Sequence, residues 1–319
     1  MKKIILFSIC TLLTMSLYAQ VYTEEMEDSH YLEEAPPSLP VVPPNVQFST
    51  LNFKGTFSHS ANSNGFMSVR VAAFYNDIAY MISGDGKKIL MTNSSGVPVT
   101  NPFASLTFNY AQQIYADDEH VIVLDRDALK GYSKTGQLRF SISLNQNYWF
   151  RYFWVRNKQE IMLVSRNRIE VYDYSTRIFL RGHMLVNEIR DIDNLRNDGN
   201  KMYNFDSSLI TYEFRGGSIQ ERDITTSEYR SWSRENYLAA FVGKESLWFN
   251  YDNRSQAFFV DSGFNRVVRN INFLPASKNP TFDDIVNESG NPMLRVYYSQ
   301  GKVYVINIRP HAVEFYRLE

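Results

Sequence analysis

Residues 160–173 read Glu160-Ile161-Met162-Leu163-Val164-Ser165-Arg166-Asn167-Arg168-Ile169-Glu170-Val171-Tyr172-Asp173. Two runs rich in β-branched and other apolar side chains flank a polar pair, Arg166-Asn167, the pattern of two strands joined by a tight turn. Working outward, Trp149 to Arg156 predicts a strand before them and Arg177 to Leu185 a strand after them. One four-stranded unit therefore covers residues 149–185.

The apolar second member of that unit recurs along the chain. Ile78 to Ile82, Val121 to Leu124, Ile161 to Val164, Lys201 to Phe205, Leu247 to Phe249 and Leu294 to Tyr298 form the series. With Ala79, Ile122, Met162, Met202, Leu247 and Arg295 as markers, the steps are 43, 40, 40, 45 and 48 residues. The fifth unit divides into Tyr237 to Val242, Ser246 to Tyr251, Gln256 to Asp261 and Arg266 to Phe273. The sixth ends with Lys302 to Asn307 and Ala312 to Leu318. Turn residues punctuate the strands, among them Gly84-Asp85-Gly86, Thr135-Gly136, Asp198-Gly199-Asn200, Gly216-Gly217 and Ser262-Gly263. Long helical periodicity is missing. A strand-only period of 40 to 50 residues predicts an all-β chain forming a single β-propeller of six four-stranded blades. Seven blades with one degenerate, or a pair of sandwiches, are the alternatives. Blades pack face to face, which explains why many strands are apolar on both sides. The one strand-like run before the first blade, Phe48 to Phe57, is too short for a seventh and suits the edge of the last blade, sealing the ring.

Two stretches resemble known repeats. Asp125 followed by Leu129-Lys130-Gly131-Tyr132-Ser133-Lys134-Thr135-Gly136-Gln137-Leu138 resembles the strand, turn, Thr-Gly, strand ending of PQQ-type bacterial propeller repeats. Asn167 to Asp173 is similar to the equivalent strand of YVTN- and NHL-type repeats. The resemblance is architectural and covers residues 69–318. It implies a secreted or periplasmic bacterial propeller. Phe140 stands where PQQ repeats carry tryptophan, so no quinone cofactor is implied. Sialidase-type Asp boxes are absent, since Ser83-Gly84-Asp85-Gly86 lacks its tryptophan.

The N-terminal region reads differently. Lys2 and Lys3 precede an apolar stretch, Ile4 to Leu17, of 14 residues, and Leu17-Tyr18-Ala19 offers a cleavage site. This is the layout of a secretory signal peptide over residues 1–19, too short for a spanning helix, which needs about 20 apolar residues. Ile9 before Cys10 is too bulky for a lipidation site. Cleavage removes the chain's one cysteine and, with it, disulfides, thiolate nucleophiles and cysteine metal ligands. Residues 20–45 form an acidic, proline-rich linker. Glu24, Glu25, Glu27, Asp28, Glu33 and Glu34 come without a lysine or arginine, followed by Pro36, Pro37, Pro40, Pro43 and Pro44. Such a segment cannot bury enough surface to fold and is expected to be a disordered arm, a spacer or a strap for a basic partner. The propeller then occupies residues 46–319. No later segment is apolar enough to span a bilayer, so an exported product, periplasmic or extracellular, is expected.

Removing Lys2 and Lys3 from the 33 basic residues leaves 31 against 34 acidic ones. That near-neutral balance without a basic run argues against nucleic acid as a partner. His30, His59, His120, His183 and His311 are too scattered for a short-range metal pair. No nucleophile elbow or phosphate-binding glycine loop occurs. Asp191-Ile192-Asp193-Asn194 lacks the third oxygen ligand of a calcium loop, because Leu195 occupies its place. Asp125/Asp127, Asp117/Asp118 and Asp283/Asp284 are the candidate carboxylate pairs for glycoside chemistry, with solvated turns as the plainer reading. Tyr148-Trp149-Phe150-Arg151-Tyr152-Phe153-Trp154 packs six aromatics into seven positions. Tyr148, Trp149, Trp154, Trp232 and Trp248 are the candidate contacts for a protein partner or a glycan, with bulky core wedges as the rival reading. The residues favour a non-catalytic interaction module of the bacterial cell envelope, presenting a propeller face to partner proteins and holding no cofactor or metal. A carbohydrate-active or carbohydrate-binding propeller is the alternative.

Overall fold

The computed structural model describes residues 51–59, 68–190, 192, 195–205, 208–215, 218–232, 236–250, 256–264, 267–272 and 294–319. The signal and linker (1–45), Asp191, Asp193, Gly216, Gly217, Asp283 and Asp284 lie outside the described residues.

The strand β1 (Leu51–Ser58) precedes a first blade of β2 (Val69–Tyr75), β3 (Ile78–Ser83) and β4 (Ile89–Asn93). The second blade is β5 (Gln113–Ala116), β6 (His120–Leu124), β7 (Ala128–Ser133) and β8 (Leu138–Ser143). The third is β9 (Tyr152–Arg156), β10 (Glu160–Val164), β11 (Arg168–Asp173) and β12 (Phe179–Met184). The fourth is β13 (Leu195–Asn197), β14 (Lys201–Phe205), β15 (Leu209–Arg215) and β16 (Ser218–Asp223). A short helix, α1 (Ser227–Trp232), leads to β17 (Asn236–Val242), β18 (Glu245–Asn250), β19 (Gln256–Val260) and β20 (Val267–Asn272) of the fifth. The sixth is β21 (Leu294–Ser299), β22 (Lys302–Ile308) and β23 (Ala312–Leu318), and β1 pairs with β23 as its outermost strand. The described residues thus form six antiparallel sheets. The molecule is an all-β six-bladed propeller.

Each chemical pattern produces its element in a visible way. Gln300-Gly301 joins β21 to β22 with φ of 51° and 77°, a two-residue reversal that suits the twist of the flanking strands. Asn76-Asp77 does the same between β2 and β3, with φ of 49° and 57°, which asparagine and aspartate tolerate. Second strands carry the longest apolar runs because both of their faces are covered: β6 buries Val121 to Leu124 and β10 buries Ile161 to Val164 completely.

Six hydrophobic clusters fill the six blade-to-blade interfaces, and this closes the ring. Phe74 and Met81 of the first blade meet Phe315 and Ile306 of the sixth. Ile82 packs with Val123 between blades one and two, and Leu124 with Phe153 between two and three. Trp154 meets Phe214 between three and four, and Phe205 meets Trp248 between four and five. Leu247 and Phe259 meet Val303 and Leu318 between five and six. Each large side chain buried this way contributes about 2–3 kcal/mol from apolar transfer. Inner strands are bolted together as well. Phe153 N–H donates to Gln113 Oε1 at 2.6 Å, Ala72 N–H to the Tyr297 hydroxyl at 3.0 Å, and Asn197 Nδ2 to the Tyr152 hydroxyl at 2.7 Å.

Two details depart from the expected regularity. The first blade has three strands, and its fourth position is a single bridge between Thr92 and Pro98, because proline has no N–H to continue a ladder. The sixth marker, Arg295, falls on the innermost strand β21, whereas the other five fall on second strands. The long connection 273–293 displaces the last blade and makes its inner strand imitate the period. No helix among the described residues is long and apolar enough to cross a membrane.

Candidate functional site

In an antiparallel four-stranded blade, the turn between the second and third strands and the link to the next blade lie at the same end. The most developed surface at that end spans blades one to three. Leu144 N–H donates to Asp127 O at 2.9 Å, which ties the link 144–151 to the turn 125–127. Asn109 Nδ2 donates to Asp127 Oδ2 at 2.8 Å and joins the preceding link to the same turn. Asn109, Arg126, Asp127 and Gln146 line an open depression of about 430 Å³. On one side of it Arg70 lies 4.2 Å above the ring of Tyr110. Further along the same link, Trp149 projects with 70 % of its surface exposed, and the Arg151 guanidinium sits 5.7 Å from its ring. Tyr148 is half-buried beneath Arg168, whose guanidinium lies 4.5 Å from its ring. The arrangement alternates guanidinium groups with aromatic faces around a polar hollow, which suits stacking, charge-assisted and amide contacts together.

The other aromatic candidates lie elsewhere. Trp154 is 5 % exposed on β9 and meets Phe214 edge-on at 5.8 Å. Trp248 is 2 % exposed, donates Nε1–H to Ser246 Oγ at 2.8 Å and packs against Phe205. Both fill blade interfaces. Trp232 closes α1, and its side chain lies outside the described residues.

The described carboxylate pairs hold turns. Asp125, fully buried, accepts from Tyr110 N–H at 2.7 Å, Arg126 N–H at 2.9 Å, Asn109 N–H at 3.2 Å and Lys130 Nζ at 2.8 Å. Burial alone would raise its pKa, but the Lys130 ammonium and the three backbone donors outweigh it and hold the carboxyl below its usual range. It fastens the link 109–110 beneath the depression. Asp117 accepts from Glu119 N–H, His120 N–H and the Tyr174 hydroxyl, and Asp118 pairs with Lys158. Among the described residues no group of three histidine, aspartate or glutamate side chains is placed to hold a metal.

A set of residues missed in the sequence stands at the entry of the inner strands. Val69-Arg70, Ala111-Gln112, Phe150-Arg151, Leu195-Arg196 and Leu294-Arg295 repeat one theme: a buried apolar residue, then a half-buried long polar one. Arg196 and Arg295 turn back alike, each donating to the carbonyl before it, at 2.8 and 3.3 Å. Burial pushes the Tyr297 phenol up, and Arg295 and Arg196, from two different blades, pull it part of the way back, so both guanidinium groups lie near the same inner tyrosine. The signal was an apolar-arginine pair at each inner-strand start, legible only after the inner strands are aligned.

Comparison with known proteins adds fold but no lineage. No protein-family model and no curated protein matches the sequence. Among solved structures, the WD40 domain of Pan2 from Neurospora crassa is similar, with 10 % identity, TM-score 0.51 and coverage of 84 % of this chain and 95 % of that one. The N-terminal domain of Nup159 aligns at 12 % identity and TM-score 0.47 over 83 % and 94 % of the two chains. The designed protein Ika8 aligns at 14 % identity and TM-score 0.42 over 78 % and 70 %. What is shared is a β-propeller.

Proposed function

We propose that the protein is a non-catalytic interaction module whose loop face over blades one to three receives a partner protein. The observation that carries this reading is Trp149, 70 % exposed beside Arg151, Tyr148 and the hollow of Asn109, Arg126, Asp127 and Gln146. Tryptophan, tyrosine and arginine dominate binding energy at protein interfaces, and an exposed indole next to a depression is the anchor such surfaces use. The basic start, the apolar stretch and Ala19 support export with cleavage after residue 19, and the acidic linker 20–45 then tethers a propeller beginning at residue 46. The partner is accordingly an envelope protein, and the Thr135-Gly136 ending supports kinship with PQQ-, YVTN- or NHL-type repeats.

A second reading has its own support. The polar hollow beside an exposed indole also suits a sugar ring, whose apolar face stacks on tryptophan while its hydroxyls meet amides and carboxylates. The test is chemical cross-linking of the intact protein in envelope extracts, read by mass spectrometry, beside Trp149→Ala. A stoichiometric protein captured by the wild type and lost at least ~10-fold in the variant is expected, corresponding to about 1.4 kcal/mol. Capture that ignores Trp149 rejects this face, and no capture with Trp149-dependent glycan binding on an array selects the second reading.

A further inference from the structure

Among the described residues, eleven large apolar side chains are exposed, and five of them fall within nine positions: Ile178 (62 %), Phe179 (47 %), Leu180 (46 %), Met184 (58 %) and Val186 (88 %). They occupy β12 and its ends, the outermost strand of the third blade, which has no hydrogen-bonded neighbour on its outer side. Other outer strands are guarded differently. β16 reads Ser218-Ile219-Gln220-Glu221-Arg222-Asp223, and β8 exposes Leu138 beside Arg139. Natural edges are normally blunted by projecting charge. The one arginine of β12, Arg181, is instead folded inward, with Nη2 2.7 Å from Glu160 Oε1 on β10.

The strand is also self-complementary. Leu185 N–H donates inward to Asn167 O, so by alternation Gly182 and Met184 turn their backbone groups outward. Antiparallel pairing about a two-fold axis through Gly182 sets Leu180 against Met184, Phe179 against Leu185 and Ile178 against Val186. Apolar residues then meet apolar residues at each of these positions, and glycine lies on the axis. At roughly 200 Å² for each fully extended side chain, the five exposures amount to about 600 Å² per copy, or about 1,200 Å² for the pair. That reaches the lower bound of specific interfaces and exceeds the apolar patch an ordinary monomer shows.

We propose that β12 is a homodimer interface, in which two copies of this chain join their third blades edge to edge into one continuous eight-stranded sheet. The interface is isologous, leaves the loop face over blades one to three open on both copies, and doubles its valency.

Light scattering on a size-exclusion column gives the mass of the intact protein at about 1–100 µM. A dimer is expected, with Leu180→Lys and Met184→Lys each weakening it at least ~10-fold, while Leu138→Lys on β8 leaves it unchanged. Unaltered circular dichroism separates this from misfolding. A second variant, Leu180→Cys with Met184→Cys, is expected to form an intermolecular 180–184 disulfide on oxidation, because directly opposed strand residues lie within disulfide reach. A monomer throughout the range overturns the proposal. So does a dimer indifferent to β12, a cysteine variant that never cross-links between 180 and 184, or a monomer whose β12 is covered by a different protein.

Discussion

At Tyr174 one hydroxyl serves two blades. It donates to Asp117 Oδ2 at 2.6 Å and meets His120 Nδ1 at 3.0 Å, so the imidazole that supplies the second bond is neutral with its proton on Nδ1. Burial, with Arg177 nearby, holds His120 below its ordinary pKa and favours that state. Tyr174→Phe leaves Asp117 and His120 each short of a partner between blades two and three. We expect a loss of about 1–3 kcal/mol in urea unfolding, with a loss below about 0.5 kcal/mol meaning that water replaces the hydroxyl. This bridge joins residues 57 apart in the chain and left no mark in the sequence. The same limit explains the aromatic run. Trp149 and Trp154 sit in one apolar-looking segment, yet one is 70 % exposed and the other 5 %. The strand begins only at Tyr152, and what precedes it is link. Composition identified the segment as important, but the boundary that separates surface from core depends on a register fixed by Val164, which accepts from Arg151 N–H.

At the scale of strands, the third member of a blade carries a repeated motif. Lys130-Gly131-Tyr132, Glu170-Val171-Tyr172 and Glu314-Phe315-Tyr316 occupy matching places on β7, β11 and β23. In the last two, a buried glutamate accepts from its own tyrosine hydroxyl and from an arginine, Arg168 or Arg309. In the second blade Lys130 reverses the charge and pairs with Asp125. Gly131 is needed there for a local reason. A Cβ at that position would run into the ring of Phe140, its partner on β8, and that ring is held by Arg177, 4.1 Å from its centre. Gly131→Ala is expected to destabilise the protein by about 1–3 kcal/mol, with Phe140→Leu in the same chain restoring part of it. Thermal unfolding of both variants checks this, and an additive double variant would show that the ring is not the obstacle. Strands such as β11, from Arg168 to Asp173, were legible to the residue because a polar turn bounds an apolar run. The innermost strands were not: β5 and β13 have four and three residues, too few for a periodic signal.

For the whole ring, stability depends on how β1 is held. Leu51 pairs with Leu318, Phe53 meets Tyr316 edge-on at 5.4 Å, and Glu319 accepts from Lys54 Nζ and Asn52 Nδ2, both at 2.8 Å, and from Arg317. Lys54, then Arg317, hold the Glu319 carboxyl down at about 2, against an ordinary value of 4.5. Because the folded value lies below the unfolded one, this clamp stabilises fully above about pH 5 and is lost as the pH falls through 4.5 toward 2. Glu319→Gln should therefore lower Tm at pH 6 and approach the wild type near pH 2. An unchanged gap across that range would show that the carboxylate does not hold the strand. The closure itself was foreseeable, since a lone strand-like run before the first blade had nowhere else to pair.

The same pairing makes the ring a test of completeness. Leu51 is synthesised long before Leu318, so the first strand made is the last to find its neighbour. Until residue 318 emerges, the growing chain is an open stack with bare edges at both ends. A product cut short by a premature stop keeps its blades but never gains the partner for β1, and it stays exposed to proteases that the finished protein resists.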